Sequence, residues 1–204
     1  MKLFGSIDSG HSFKPRSFLL LAGIPHEYHG VDLALARSAR PDNFVSVSKF
    51  GEVPVLVDGE RAMCQSNAIL IYLAQKTKLY CGYDEYEWQS ILEWLSWESN
   101  RIGFSIPNLR YALRWAPQAP EVITYLRDRT MTDLLTLDRV FAESEFLLPS
   151  GVTVADLSCS AYLFWMPQAG IDEAVFPNIQ RWLSSIRALP GWVHPDIALV
   201  AAVS

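Results

Sequence analysis

The stretch Val53-Pro54-Val55-Leu56-Val57, followed by Asp58-Gly59 and Arg61-Ala62-Met63, constrains the fold more than any other part of this chain. Asp-Gly marks a tight hairpin because both central residues of such a turn need positive φ. The segment therefore reads as two antiparallel strands. Proline cannot donate to a sheet ladder, so Pro54 belongs at the opening of its strand, with Val53 at a bend just before it. Gln65 to Ala74 comes next and carries Ala68, Ile69, Tyr72 and Leu73 at helical spacing. Upstream, apolar Met1 to Gly5 reads as a buried strand, Ser12 to Ala22 as a helix stopped by Gly23, and His26 to Leu33 as a second strand. Arg37 to Gly51 is irregular. The order β-α-β and then β-β-α defines a small mixed α/β domain over residues 1–78.

The remainder reads differently. From about Tyr86 onward no convincing strand pattern occurs. Ile123, Leu126, Thr130, Leu134, Leu137 and Phe141 step by three or four, one face of a long amphipathic helix. Thr153-Val154-Ala155-Asp156 has the form of a capping box, with Leu157, Ala161, Phe164 and Trp165 on the face behind it. Pro177 opens a last helix through Trp182 to Leu189, ended by Pro190-Gly191. Residues 79–86 read as a linker and 87–204 as an all-helical domain.

Length agrees, since 204 residues make one large domain or two small ones. Half the residues are apolar and 19% are charged, enough for a core and too apolar for disorder. A formal net charge of −5 without a long basic run argues against nucleic acid or an anionic membrane as partner. Phe18 to Ile24 is far shorter than the ~20 residues of a membrane span, and no secretory-signal pattern surrounds it. Three scattered cysteines, Cys64, Cys81 and Cys159, suit a reducing cytoplasm better than a disulfide framework. Gly-x-Gly-x-x-Gly, Gly-Lys-Ser/Thr, His-Glu-x-x-His, Gly-x-Ser-x-Gly and Cys-x-x-Cys are all missing. Nucleotide, zinc-hydrolase, serine-hydrolase and dithiol chemistry thus lack their signatures, and no metal site is expected.

Three local features remain. Ser9-Gly10-His11-Ser12-Phe13-Lys14-Pro15-Arg16 joins the first strand to the first helix. If Pro15 sits in the opening turn, Ser12 lies near the N-cap and Ser9 to His11 in the loop before it. A helix N-terminus stabilises a nearby anion by ~0.3–1 kcal/mol, although plain capping also accounts for the serine. The second feature is Gly51-Glu52-Val53-Pro54-Val55. A cis Val53-Pro54 bond would turn the Val53 N–H and C=O into a cleft, whereas trans is the commoner X–Pro form. The third is Gln65-Ser66-Asn67, either an ordinary cap or a carboxylate receptor at the head of a helix.

In this order and spacing the motifs resemble those of the glutathione S-transferase superfamily, over nearly the whole chain. Ser9 to Arg16 is similar to the active-serine stretch of the tau and zeta classes. Gly51 to Leu56 and Gln65 to Ile69 resemble the paired glutathione motifs. Thr153 to Leu157 and Pro177 to Trp192 are similar to the family's helical capping box and its usual ending. The resemblance implies a thioredoxin-like N-terminal domain with a cis proline, an all-α C-terminal domain, and a cytoplasmic homodimer. It makes Ser9 the activating hydroxyl, with His11 and Ser12 next to be tested. Val53 and Pro54 would hold the cysteinyl unit of glutathione, and Gln65 and Ser66 its γ-glutamyl carboxylate. Arg37, Arg40 and Lys49 are the candidates for the glycyl carboxylate. Two departures stand out: Ser48-Lys49-Phe50-Gly51 replaces the usual Asn-Pro-x-Gly, and His11 stands where the beta class carries cysteine.

The implied chemistry is the activation of a thiol. Like free cysteine, glutathione has a thiol pKa near ~8.5, so only about 3% is thiolate at pH 7. Lowering it by ~2 units ionises roughly three quarters and requires about 2.7 kcal/mol, within reach of one donated hydroxyl and one helix end. The thiolate would then attack a small hydrophobic electrophile lying over Phe13 and part of Trp97 to Tyr111. Most of the aromatics Trp94, Trp97, Phe104, Tyr111 and Trp115 are nevertheless expected in the core, and Cys64 is expected to be buried and inert. Alternatives on the same scaffold are a glutathione-dependent peroxidase, reductase or isomerase, and a non-catalytic binding member.

Overall fold

A computed structural model describes residues 1–200 of the chain. Residues 1–79 and the described residues from Leu189 onward form one unit, and Tyr80–Ala188 a second. The segment after Leu189 thus joins the N-terminal unit, whereas the sequence assigns it to the helical one.

In the first unit, β1 (Lys2–Gly5) lies parallel to β2 (Glu27–Gly30) and antiparallel to β3 (Val55–Asp58), which pairs in turn with β4 (Arg61–Cys64). The sheet order is β2-β1-β3-β4. Leu3, Phe4 and Gly5 are all buried, so β1 is covered on both faces. Phe4 and Val55 pack with Val31 and Phe44 on one side. Helices α1 (Gly10–Leu21) and α3 (Ser66–Thr77) pack on each other and contribute the buried Phe18, Leu19, Ile69, Leu70 and Leu73. This is the thioredoxin-like arrangement anticipated from the β-α-β-β-β-α order.

Two local expectations are corrected here. The first helix starts at Gly10, two residues before Ser12, and Pro15 lies inside it instead of in its opening turn. Ser9, in extended conformation, supplies the cap, and packing of the helix outweighs the ~3 kcal/mol penalty of an interior proline. The irregular stretch from Arg37 also contains a 3-10 turn (Arg37–Ala39) and a short helix α2 (Asp42–Val45), which seats Phe44 in the core. At the far end of this unit, α9 (Pro195–Ala198) lies on α1, where Arg16 Nε donates to the Ala198 carbonyl at 3.0 Å.

The second unit is helical: α4 (Glu85–Asn100), α5 (Ile102–Arg114), α6 (Pro120–Glu143), α7 (Val154–Ser160) and α8 (Pro177–Arg187), with a 3-10 segment at Leu163–Ala169. Leu126, Thr130, Leu134, Leu137 and Phe141 form the buried face of α6 at the spacing read from the sequence. The capping box is formed. Asp156, fully buried, accepts from Thr153 N at 2.9 Å and Thr153 Oγ1 at 3.1 Å, and also from Leu147 N and Trp182 Nε1, each at 3.0 Å. Trp182 stacks on Phe141 with ring centroids 4.2 Å apart. The aromatics of α4 and α5 do not follow the core expectation. Trp94 and Trp97 are half-buried, and Phe104, Tyr111 and Trp115 are exposed, while the buried hydrophobic positions of α4 and α5 are Ile91, Leu95, Ile102, Ile106, Leu109 and Ala112. Among the described residues no helix is long and apolar enough to cross a membrane.

Candidate functional site

Sheet register brings the three N-terminal motifs to one place. Phe4, one residue from the C-terminal end of β1, pairs with Val55, the first residue of β3, and Val55 pairs with Cys64, the last of β4. The loop that leaves β1 for Ser9, the Val53-Pro54 entry to β3, and the exit from β4 into Gln65-Ser66 therefore all lie at the same end of the sheet. Strand direction alone thus brings the segments that carry residues 9, 53 and 65 to that end.

Ser9 is the N-cap of α1, and its Oγ accepts the Ser12 amide at 3.1 Å. A serine hydroxyl has one O–H donor and two acceptor lone pairs. Accepting one amide therefore leaves the Ser9 proton free for an acceptor ahead of the helix. Ser9 is half-buried and so accessible. Ser12 is not: it is fully buried, and its Oγ accepts the Ser6 amide at 3.1 Å, binding the loop to the helix. Its place among the activating hydroxyls is withdrawn, since the third residue of a helix whose cap is Ser9 faces inward. His11 is half-buried in the first turn. Phe13 is buried, so it offers no surface to a second substrate. Cys64 is half-buried rather than buried, because β4 is an edge strand.

The Val53-Pro54 peptide bond is cis. Val53 precedes the ladder, which starts at Val55, and Pro54 is buried. Opposite, α3 begins with no side-chain cap. Gln65 occupies the N-cap position at φ +71° and makes no capping hydrogen bond, while its Nε2 donates to Glu52 Oε2 at 3.3 Å. The plain capping role weighed for Gln65-Ser66 is thus not the one they have. First-turn N–H groups have no carbonyl one turn back to bond, and here no side chain substitutes at the N-cap. Positive φ at a residue with a Cβ holds about 1–3 kcal/mol of strain, a feature that gathers at ligand sites. Ser66, the first helical residue, is buried.

Sequence reasoning did not single out Lys14 or Glu52. Lys14 is buried on α1 and donates to Asn67 Oδ1 of α3 at 3.2 Å, linking the two helix heads. A lysine on the buried flank of an apolar helix was the available signal. The three basic candidates separate by their contacts. Arg37 is exposed and donates Nη2 to the Ser48 carbonyl at 3.0 Å. Lys49 is exposed beside the Phe50 ring. Arg40 donates to three backbone carbonyls, Gly51 at 2.6 Å and Leu33 and Leu35 at 3.1 Å each. Among the described residues no group of three or more His, Cys, Asp or Glu side chains is assembled to hold a metal ion.

Residues 1–75 match the family model "Glutathione S-transferase, N-terminal domain". The chain is 28% identical to the disulfide-bond oxidoreductase YfcG of Escherichia coli strain K12, across 92% of this chain and 89% of that protein. It is 25% identical to glutathione S-transferase 1 of Zea mays, across 100% of this chain and 96% of that one. Among solved structures it resembles a glutathione S-transferase from Xanthobacter autotrophicus Py2, with a TM-score of 0.85, 27% identity and coverage of 96% and 97% of the two chains. The thioredoxin-like domain, the helical second unit and these similarities together support the glutathione S-transferase superfamily, with the family's N-terminal domain matched over residues 1–75.

Proposed function

We propose that the protein is a cytoplasmic glutathione transferase that binds glutathione at the motif-bearing end of the N-terminal sheet. The observation that carries this reading is the uncapped head of α3, which opens at the same sheet end as the Val53-Pro54 bend and the Ser9-capped start of α1. An uncapped helix N-terminus stabilises a carboxylate through free N–H groups and the positive end of the dipole. Gln65 and Ser66 are assigned to the γ-glutamyl carboxylate, and the Val53 backbone beside Pro54 to the cysteinyl unit. Ser9 is assigned to the sulfur.

The Ser9 O–H donates to the thiolate, and hydrogen bonds to a charged partner contribute about 1.5–3 kcal/mol. That is most of the ~2.7 kcal/mol needed to ionise the thiol at pH 7. The thiol proton leaves to solvent. The sulfur lone pair then forms a carbon–sulfur bond at the electrophile, and the leaving group departs with its bonding electrons. A small hydrophobic electrophile is the proposed second substrate and a homodimer the proposed assembly.

One relative favours a second reading. The Escherichia coli oxidoreductase named above suggests thiol–disulfide exchange on this scaffold. Ser9 to Arg16 contains no cysteine, so the reacting sulfur in that case is glutathione's own. Calorimetric titration with glutathione tests the shared premise: micromolar to low millimolar binding is expected, and no heat at millimolar ligand would refute both readings. Turnover of a chloro-nitro aromatic, compared with an organic peroxide and a small disulfide, then assigns the reaction.

A further inference from the structure

The loop between Ser48 and Val53 departs from the family's usual sequence, and the structure supports it unusually. Gly51 sits at φ +72°, and a Cβ there would lie 2.9 Å from Arg37 Nε, so the guanidinium of Arg37 rests against its backbone. Arg37 Nη2 holds the Ser48 carbonyl, and Ser48 Oγ donates to the Glu52 carbonyl at 3.1 Å. Arg40 completes the frame. Its Nη1 donates to the Gly51 carbonyl at 2.6 Å, while Nε and Nη2 anchor it to Leu35 and Leu33. All three guanidinium nitrogens are engaged by main-chain oxygens. The rigid fork of arginine can make such a three-point contact, and the ammonium of lysine cannot reproduce it.

We propose, resting on the glutathione reading above, that Arg40 is a positioning residue for the tripeptide and not a ligand of its glycyl carboxylate. By fixing the Gly51 carbonyl it fixes the direction of the chain through Glu52 into Val53. Val53 has no ladder partner to hold it, because sheet pairing starts at Val55. The Arg40 frame does for this backbone what the sheet does two residues later. A misplaced Val53 loses contact with the cysteinyl unit, which glutathione shares with γ-glutamylcysteine, whereas a lost carboxylate ligand matters only to glutathione.

The test uses the full chain, its Arg40→Lys and Arg40→Ala variants, and calorimetric titration with glutathione and with γ-glutamylcysteine. Amide hydrogen exchange at residues 51–53 and thermal melting are read in parallel. The expected result is a loss of about tenfold in affinity, equal for the two ligands, in both variants. Exchange at 51–53 should quicken, and melting should shift little. Lysine should fail to rescue, because it restores charge without the fork. Weakened glutathione binding with unchanged γ-glutamylcysteine binding would make Arg40 a carboxylate ligand and overturn the proposal. Unchanged affinity for both ligands, or global unfolding of both variants, would overturn it as well. Absence of binding in the unsubstituted protein would instead strike the glutathione reading itself.

Discussion

The Ser9 hydroxyl oxygen accepts the Ser12 amide at 3.1 Å, so one side chain caps α1 and keeps its O–H to donate, the role proposed for it toward the glutathione sulfur. Replacing Ser9 by Ala removes both roles. Loss of the cap should lower stability by about 1 kcal/mol. Loss of the donor should raise the pKa of bound glutathione and lower kcat/KM by about 10- to 100-fold, following the strength of a charged hydrogen bond. Ultraviolet titration of the bound thiolate reads the first effect. Ser9→Thr keeps cap and hydroxyl and should stay near the parent. An unshifted titration in Ser9→Ala would remove Ser9 from the reaction.

Gln65 holds positive φ at the uncapped head of α3. Glycine has no Cβ to clash there and adopts positive φ with less strain, so Gln65→Gly should stabilise the fold by up to about 1 kcal/mol. Affinity for glutathione should fall in the same variant, because the side chain assigned to the γ-glutamyl end is gone. Urea unfolding and calorimetry should therefore move in opposite directions. Parallel losses would mean the residue is structural only.

Gly5 lies against Tyr28: a Cβ there would stand 2.6 Å from the Tyr28 hydroxyl and 3.0 Å from Ser12 Cβ. That hydroxyl is buried without a hydrogen-bond partner among the described residues, and burial pushes the phenol well above its ordinary range. Gly5→Ala should destabilise by about 1–3 kcal/mol through overpacking. Tyr28→Phe removes an unsatisfied polar group and should be neutral or stabilising. Chemical unfolding of the double variant should recover part of the Gly5→Ala loss. Simple addition of the two effects would contradict the contact.

Asp156 carries a linked pH effect. Burial pushes its carboxyl up to about 6, against the opposing pull of hydrogen bonds from Leu147, Thr153 and Trp182. Since the folded pKa lies above the unfolded one, the folded state binds more protons in between. The contribution of this group is therefore complete below pH ~4 and is lost as pH rises through about 6. Asp156→Asn lacks that slope, so the stability gap between parent and variant should narrow from pH 4 to pH 6.5 in thermal melts. Asp156→Ala leaves four donors without their acceptor and should be severely destabilised, on the order of 3–5 kcal/mol.

Helix α8 has no cap of its own, and Asp138 of α6 provides one: its Oδ1 accepts the amides of Asn178 at 2.9 Å and Ile179 at 3.0 Å. Asp138→Ala should lower stability by about 1–2 kcal/mol, the range of a lost N-cap, although residue 138 is some forty positions from the helix it serves. Far-ultraviolet melting of the variant checks this. No change would mean that solvent satisfies both amides.

Sequence and structure divide along a clear line. Local chemistry was readable: the Asp58-Gly59 hairpin, the α6 stripe from Leu126 to Phe141 and the Thr153–Asp156 box are each set by residues a few positions apart, so neighbouring side chains and turn geometry specify them. The same reasoning misplaced the start of the first helix, because an interior Pro15 is tolerated only through packing that the local sequence does not display. It held Ser12 available when the fold buries it. It could not divide labour among Arg37, Arg40 and Lys49, since that depends on which carbonyls come within reach.

By itself, then, the sequence determined the order of elements, their periodicity and the local motifs at the strand and helix ends. Those are properties of short stretches, where turn preferences and hydrophobic spacing act directly. Only the tertiary structure decided which of those motifs meet and which side chains remain free. The register of β1 on β3 and β3 on β4 brings Ser9, Val53 and Gln65 to one sheet end. Hydrogen bonds across its own loop then commit Arg40 to the backbone, and bonds across some forty residues commit Asp138 to a distant helix, because a polar group's partner is fixed by position in space and not along the chain.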